Sequence, residues 1–453
     1  MKDPRSVRIG GPSYCEPMAA RLIDIGGTTL RAIEGDGVVV ARGIPYARAD
    51  RFAAPELVSP CADVIDATER GPACPQLPSR LQDVTGLVVN GLPISEQCQV
   101  LSVTAPADAE RLPVMVWFHG GAYVSGGGES PKYDPQALVA EGQVVVVTVT
   151  YRLGLFGYLN IHDPDTQNLG LRDQICALQW VRDNIFAFGG DPQRVTVFGQ
   201  SAGGDSVMSL MLCPEAAGLF TRAILQSAPL GLPRERSTMA AAMRTAALAS
   251  LKGVPAMEAD IDQLLEAQVA ALAAAQPFGR LGMMAYAPIL GHAPLVSAEQ
   301  FESQIADAAT RVEILVGYTR DDGRPFVSMD PRGARAQRFG PLGTALTAVI
   351  GRSLTRAVFG RPAIELARTW ERAGGRSATF RVDWAPPRAP LGACHCIELP
   401  LLLGAVGSWR DAPMLGPEPR TVDEGLGREV RSVWAGFARD GVAALGQTQF
   451  VFA

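Results

Sequence analysis

A chain of 453 residues with 47% hydrophobic and only 19% charged side chains has ample material for a large core, which excludes a mostly disordered protein. Its formal charge of −5, with no contiguous basic run, offers no electrostatic footprint for phosphate backbones, so nucleic acid is not an expected partner. No stretch approaches the ~18 consecutive apolar residues of a membrane span.

The start, Met1-Lys2-Asp3-Pro4-Arg5, leads into glycine, proline and charges rather than the apolar segment of a secretory signal, which predicts a cytoplasmic protein. Short β-branched runs predict buried strands at 114–119, 144–149, 195–199, 223–226, 314–316 and 378–382. Between them, Ile175, Leu178, Val181 and Ile185 recur at helical spacing within a helix over 171–188 that Gly189-Gly190 ends. Strands alternating with helices predict a mostly parallel, doubly wound α/β sheet, because parallel neighbours need a crossover connection. From 229 to 282 the strand signal gives way to Ala-rich helices at 239–251 and 261–275, read as a helical insertion over the sheet. The Pro/Gly-rich stretches 71–78 and 385–392 read as loops, since the pattern continues beyond both, so 1–453 is expected to be one domain. Eight cysteines, Cys15, Cys61, Cys74, Cys98, Cys176, Cys213, Cys394 and Cys396, are too sparse for a disulfide scaffold and include no CxxC pair. Cys394-His395-Cys396 suggests a metal tract, but neighbours on a strand point to opposite faces and do not converge on one ion, so no metal is expected.

The strongest chemical signal is Val195-Thr196-Val197-Phe198-Gly199-Gln200-Ser201-Ala202-Gly203-Gly204, a strand, a G-x-S-x-G turn and a helix running to about Leu212. Glycines flank a serine in this way when it sits on a sharp turn that the adjoining strand and helix would otherwise crowd. The helix start also brings backbone N–H dipoles to a developing oxyanion. Upstream, Trp117-Phe118-His119-Gly120-Gly121-Ala122-Tyr123 follows a strand as a Gly-rich oxyanion loop should, while Gly126-Gly127-Gly128 reads as an ordinary glycine turn.

These motifs, with 168–174, 177–181, Phe188-Gly189-Gly190-Asp191-Pro192, Tyr151-Arg152-Leu153-Gly154 and Gln226-Ser227-Ala228, make the chain resemble the type B carboxylesterases, α/β-hydrolases that include para-nitrobenzyl-type esterases and the cholinesterases. The resemblance implies the α/β-hydrolase fold and a carboxylic ester hydrolase acting on small to medium esters through an acyl-enzyme, with no cofactor. By position it makes Ser201 the nucleophile and Asp322, in Gly317-Tyr318-Thr319-Arg320-Asp321-Asp322-Gly323, the acid, where the family usually has Glu. It makes His395, in the segment from Gly392 to Glu398-Leu399-Pro400, the base. It assigns the oxyanion donors to the N–H groups of Gly121, Ala122 and Ala202. The order Ser, Asp, His is the one this fold uses. The other histidines are His119 in the oxyanion loop and His162 and His292, which precede no recognisable site. The Gly-Gly-Ala loop implies room for bulky alcohols. A resemblance-based pairing of Glu96 with Arg152 is expected beneath the oxyanion loop, and Cys74 and Cys98, bonded in secreted relatives, are expected to be reduced thiols here. Asp205, Met283, Met284 and Tyr286 are candidates for the pocket wall, against core packing as the plainer reading. Two other functions stay open: an acyl-transferring or ring-closing biosynthetic enzyme, and a catalytically dead binding module, against which the intact serine, aspartate and histidine argue.

Overall fold

Residues 114–118 alternate between two cores, Val114, Val116 and Phe118 on one side and Met115 and Trp117 on the other, as the period of an extended strand requires. In the computed structural model, which describes residues 19–453 apart from the Val406 side chain, this alternation continues across the centre of a twelve-stranded sheet. Cys15 and the chain start lie outside the described residues. The Leu112–Phe118 strand lies between Val145–Val149 and Gly190–Gln200. From there Arg222–Gln226, Glu313–Thr319, Ser377–Val382 and Gln449–Phe452 follow in order, all parallel. Continuous Val-rich runs such as Val145–Val149 suit these positions, because both faces are covered.

The other edge is antiparallel. Val100–Pro106 pairs with Val145–Val149, then Val38–Pro45, Thr29–Gly35 and Ala19–Asp24 follow. The sheet is therefore an α/β-hydrolase type with a mixed, mostly parallel order, and the sequence reading missed its antiparallel part and the Gln449–Phe452 edge strand. Ala19–Asp24 is largely exposed and Gln449–Phe452 is only four residues long, whereas Val100–Pro106 is buried along its whole length and Val38–Pro45 is eight residues long and nowhere exposed, so those two were legible and were missed.

Helices cover both faces. Leu169–Asn184, continued as a 3₁₀ turn over Ile185–Phe188, and Ala202–Met211 pack on one core. Glu424–Asp440, capped by Asp423 accepting from the Leu426 N–H at 2.9 Å, buries Val430, Trp434 and Phe437 in the other. Ser237–Ser250 and Ile261–Ala275 pack against each other, the second opened by a reciprocal Asp260–Gln263 capping box. Between 316 and 378, where the sequence reading named no particular helix, five helical segments run: Arg324–Met329, Pro331–Gln337, Gly340–Leu354, Thr355–Gly360 and Arg361–Arg372. Among the described residues no helix is long and apolar enough to cross a membrane.

Candidate active site

The carboxyl ends of three neighbouring parallel strands supply the polar residues of the site. Gly190–Gln200 delivers Ser201, Arg222–Gln226 delivers Ser227, and Glu313–Thr319 leads to Asp322. Ser201 sits at φ 57°, ψ −122°, an uncommon conformation for a side-chain-bearing residue, held by its N–H donating to the Gln226 carbonyl at 2.9 Å. A Cβ on Gly203 would lie 2.0 Å from the Phe118 carbonyl oxygen, so that position of the G-x-S-x-G turn has room only for glycine.

The Gly120–Tyr123 loop is strained over three successive residues, with Gly121, Ala122 and Tyr123 at φ 123°, 54° and 60°. Contacts from outside the loop fix it. Tyr123 donates its hydroxyl to Asp205 Oδ2 at 2.9 Å, its carbonyl accepts from the Gly154 N–H at 2.7 Å, and the Ser125 N–H donates to the Gly121 carbonyl at 3.1 Å. Among the described residues the N–H groups of Gly121 and Ala122 have no acceptor, and that of Ala202 is at the first turn of its helix, where no intrahelical acceptor exists. A Cβ on Gly120 would lie 3.2 Å from the Ser201 Cβ, which sets this loop directly against the elbow.

His395 and Asp322 are both fully buried and joined by a 2.6 Å bond from Nδ1 to Oδ1. The other carboxylate oxygen of Asp322 accepts from Ser227 Oγ at 3.0 Å and from the Thr319 N–H at 2.8 Å. The carboxylate is thus oriented by three donors. An aspartate one methylene shorter than glutamate still reaches because the two loops are stitched together: the Asp321 N–H donates to the Ala393 carbonyl at 2.8 Å, and the Ala393 N–H returns to Asp321 Oδ2 at 3.1 Å. Cys394-His395-Cys396 is accordingly not a strand, as the metal argument assumed, but a turn with Cys396 at φ 74°. No cluster that could hold a metal ion occurs among the described residues.

His395 Nε2 faces the Gln200 amide nitrogen at 3.1 Å, and Ser201 Oγ has no hydrogen-bond partner among the described residues. An amide N–H can only donate, so Nε2 is an acceptor and the proton lies on Nδ1, the tautomer a base toward serine requires. Phe326 and Phe359 flank the ring at 5.2 Å each. His119 stacks on Tyr151 at 4.4 Å, and burial lowers its pKa to about 4, so it is neutral in the folded protein. His162 stacks near Phe52, and the His292 carbonyl accepts from Asn168, so neither is near His395 in any recorded bond.

Ser227, Gln200 and Glu398 were not singled out from the sequence. Ser227 and Gln200 lie where the signal should have been sought, at the carboxyl ends of strands beside the elbow. Burial, and then the charge of Asp322, pushes Glu398 up to about 8, and it accepts from the Gln226 amide at 3.5 Å. Glu96 pairs with Arg51 rather than with Arg152, through two bonds of 2.5 and 2.8 Å, while Arg152 forks onto the buried Asp173 at 2.7 and 2.9 Å. The reason is depth: Arg152 and Asp173 are wholly inside, where a charge needs a buried partner, whereas Glu96 stays at the half-buried rim with Arg51. Asp205 and Met284 share a small recess with Arg234 and Arg236, whereas Tyr286 is packed in the core and Met283 is half-buried.

A family model described as "Carboxylesterase family" matches residues 19–339. The chain belongs to that family. It is 41% identical over 419 residues to a probable N-octanoylanthranilate hydrolase of Rhodococcus erythropolis, covering 90% of each chain. It is 37% identical to a para-nitrobenzyl esterase of Bacillus subtilis, covering 90% of this chain and 87% of that one. Among solved structures, a thermophilic para-nitrobenzyl esterase superposes with a TM-score of 0.77 at 33% identity, over 93% of this chain and 91% of the other. A Geobacillus stearothermophilus carboxylesterase gives 0.75 at 30%, over 95% and 96%. The protein is a carboxylic ester hydrolase, and its substrates are small-molecule esters.

Proposed function

We propose that Ser201 is the nucleophile of this esterase, His395 its general base and acid, and Asp322 the residue that orients the imidazole, with the N–H groups of Gly121, Ala122 and Ala202 binding the oxyanion. The observation that carries this reading is the 2.6 Å bond from His395 Nδ1 to a carboxylate already held by two further donors. With Nδ1 protonated, Nε2 is free to accept the Ser201 proton once the neighbouring Gln200 amide yields it, and Asp322 stabilises the imidazolium that forms. Attack places negative charge on the ester oxygen, opposite the three unpaired N–H groups, which are pre-set and cost no reorganisation. Collapse expels the alcohol with the proton from His395, and a water activated by the same nitrogen then releases the acid.

In the same proposal, 1–453 forms one domain in which 229–282 is a cap-like insertion. Arg236 donating to the Met284 carbonyl at 2.9 Å and the shared recess with Asp205 support a cap that closes on the elbow helix. Substrates are small to medium esters, extending to octanoyl-length acyl groups as the name of the Rhodococcus relative suggests. Cys74 and Cys98, neighbouring buried free thiols, support a cytoplasmic setting.

Turnover of p-nitrophenyl esters of increasing acyl length, together with labelling by a serine-directed phosphonate, tests the assignment. Labelling of Ser201 with turnover is expected. Labelling without turnover would point instead to acyl transfer, and neither would point to a binding module. A tert-butyl ester should also be cleaved, because the Gly-Gly-Ala loop leaves the alcohol side uncrowded, and no cleavage beside rapid turnover of the primary ester would overturn that part.

A further inference from the structure

The Gly340–Leu354 helix is amphipathic the wrong way round. Its buried positions are Gly343, Thr347 and Gly351, and a Cβ at Gly343 would lie 1.8 Å from the Ala336 carbonyl oxygen, so the inner face admits only small groups. Its outer face carries Leu342, Leu346, Val349 and Ile350 at 83, 55, 55 and 45% exposure, a spacing that forms one stripe, and Phe339 at 79% extends it past the helix start. Single exposed apolar residues need no explanation, but a contiguous stripe of large ones marks a surface that is covered.

The charge around the stripe says by what. Residues 324–361 contain seven arginines and one aspartate, a net of +6 inside a chain whose total is −5. The sequence has no contiguous basic run because these arginines are spread through five helical segments, yet they share one arm of the fold. Arg332, Arg335, Arg338, Arg352 and Arg356 are exposed and form no ion pair among the described residues. A symmetric contact with a second copy of this chain would set two arginine-rich surfaces against each other. An apolar stripe bordered by arginines instead matches an anionic lipid surface, whose acyl boundary takes the leucines and whose headgroups take the guanidiniums.

We propose that the 324–361 arm docks this esterase on anionic lipid surfaces. The arm also borders the site, since Phe326 near its start and Phe359 near its end both pack on His395.

Flotation of the full chain with phosphatidylcholine vesicles, with and without about 30% phosphatidylglycerol, tests this directly. The protein should float with the anionic vesicles and not with the neutral ones, and raising salt to about 0.5 M should release it. Leu342→Ser/Leu346→Ser should lower the partition coefficient at least ~10-fold, and Arg335→Gln/Arg338→Gln by about 25-fold, at roughly fivefold per arginine. Hydrolysis of p-nitrophenyl acetate should be unchanged in both variants, which shows that they are folded. Failure of the parent protein to float, equal binding to neutral vesicles, or undiminished binding of both variants would overturn the proposal. So would a dimer in sedimentation velocity that Leu342→Ser/Leu346→Ser dissolves, with no vesicle binding, because the stripe would then belong to a second copy.

Discussion

The Ser201 turn and the Asp322–His395 pair are held in place by different kinds of contact. At Ser201 the constraint is largely local: a strand ends, a helix begins two residues after Gln200, and Gly203 fits where no side chain would. At His395 it is long-range, because its carboxylate partner lies 73 residues away in sequence and is brought within 2.6 Å by the backbone exchange between Asp321 and Ala393. A local constraint survives the loss of one side chain, whereas a bridge between two loops depends on each of its groups. The two regions should therefore break differently.

The largest effect is expected at the local site, where Ser201→Ala removes the covalent step while leaving the fold intact. A loss of kcat of about 10⁶ is expected, with an unchanged melting temperature. More than a few per cent residual activity in a sample free of other esterases would contradict the assignment. Asp322→Asn comes next, at about 10⁴ in kcat, because an amide in place of the carboxylate holds the wrong histidine tautomer. Asp322→Glu sharpens the comparison. The Asp321–Ala393 stitch already brings the loops close enough for aspartate, so the longer side chain should overshoot and lower kcat rather than restore the family's usual geometry. Activity equal to the parent would mean that the loop yields.

What could be read from the sequence follows the same division. The elbow, the oxyanion loop and the central strands were legible because each is written in contiguous residues, whether a glycine pattern or a Val run. The resemblance offered Ser201, Asp322 and His395 in that order, yet the stitch that lets a shorter acid reach depends on the Asp321 and Ala393 backbones, which no side-chain pattern reveals. The Glu96 expectation failed for a related reason: sequence places Glu96 and Arg152 in the right neighbourhood, but depth decides that Arg152 takes Asp173. The Gly340–Leu354 helix was hidden because it turns small residues inward, opposite to the pattern by which a helix is recognised, whereas Arg361–Arg372, which buries Ala363, Leu366, Ala367 and Trp370 at helical spacing, was legible and was missed.

Asp321 itself gives a smaller and more diagnostic effect. It is 7% exposed and accepts from the Ala393 N–H and from Arg320. Asp321→Asn weakens a charge-assisted bond, so a stability loss of about 1.5–3 kcal/mol and a drop in kcat of roughly tenfold are expected, through displacement of the histidine loop. A drop in kcat as large as that of Asp322→Asn would exchange the roles of the two aspartates.

The smallest effect on activity, and the one that depends most on pH, belongs to Glu398. It is fully buried, joined through the Gln226 amide to the residue whose carbonyl holds the Ser201 N–H, while Gln226 Oε1 accepts from Trp434 Nε1 at 3.1 Å. Burial first and the Asp322 charge second push its pKa up to about 8, so near neutrality it is protonated in the folded protein. In the unfolded chain the same group ionises near ~4.3. Between those values the folded state holds the extra proton, so the contribution of Glu398 to stability falls as pH rises through this window and levels off above about 8. At ~1.4 kcal/mol per unit the fall amounts to as much as a few kcal/mol. Glutamine is the neutral isostere of the protonated acid, so Glu398→Gln should change kcat at neutral pH by less than about twofold. Its advantage over the parent in urea unfolding should be smallest near the unfolded-chain value of ~4.3 and grow until about pH 8. A pH-independent stability difference would show that Glu398 is already ionised in the folded protein.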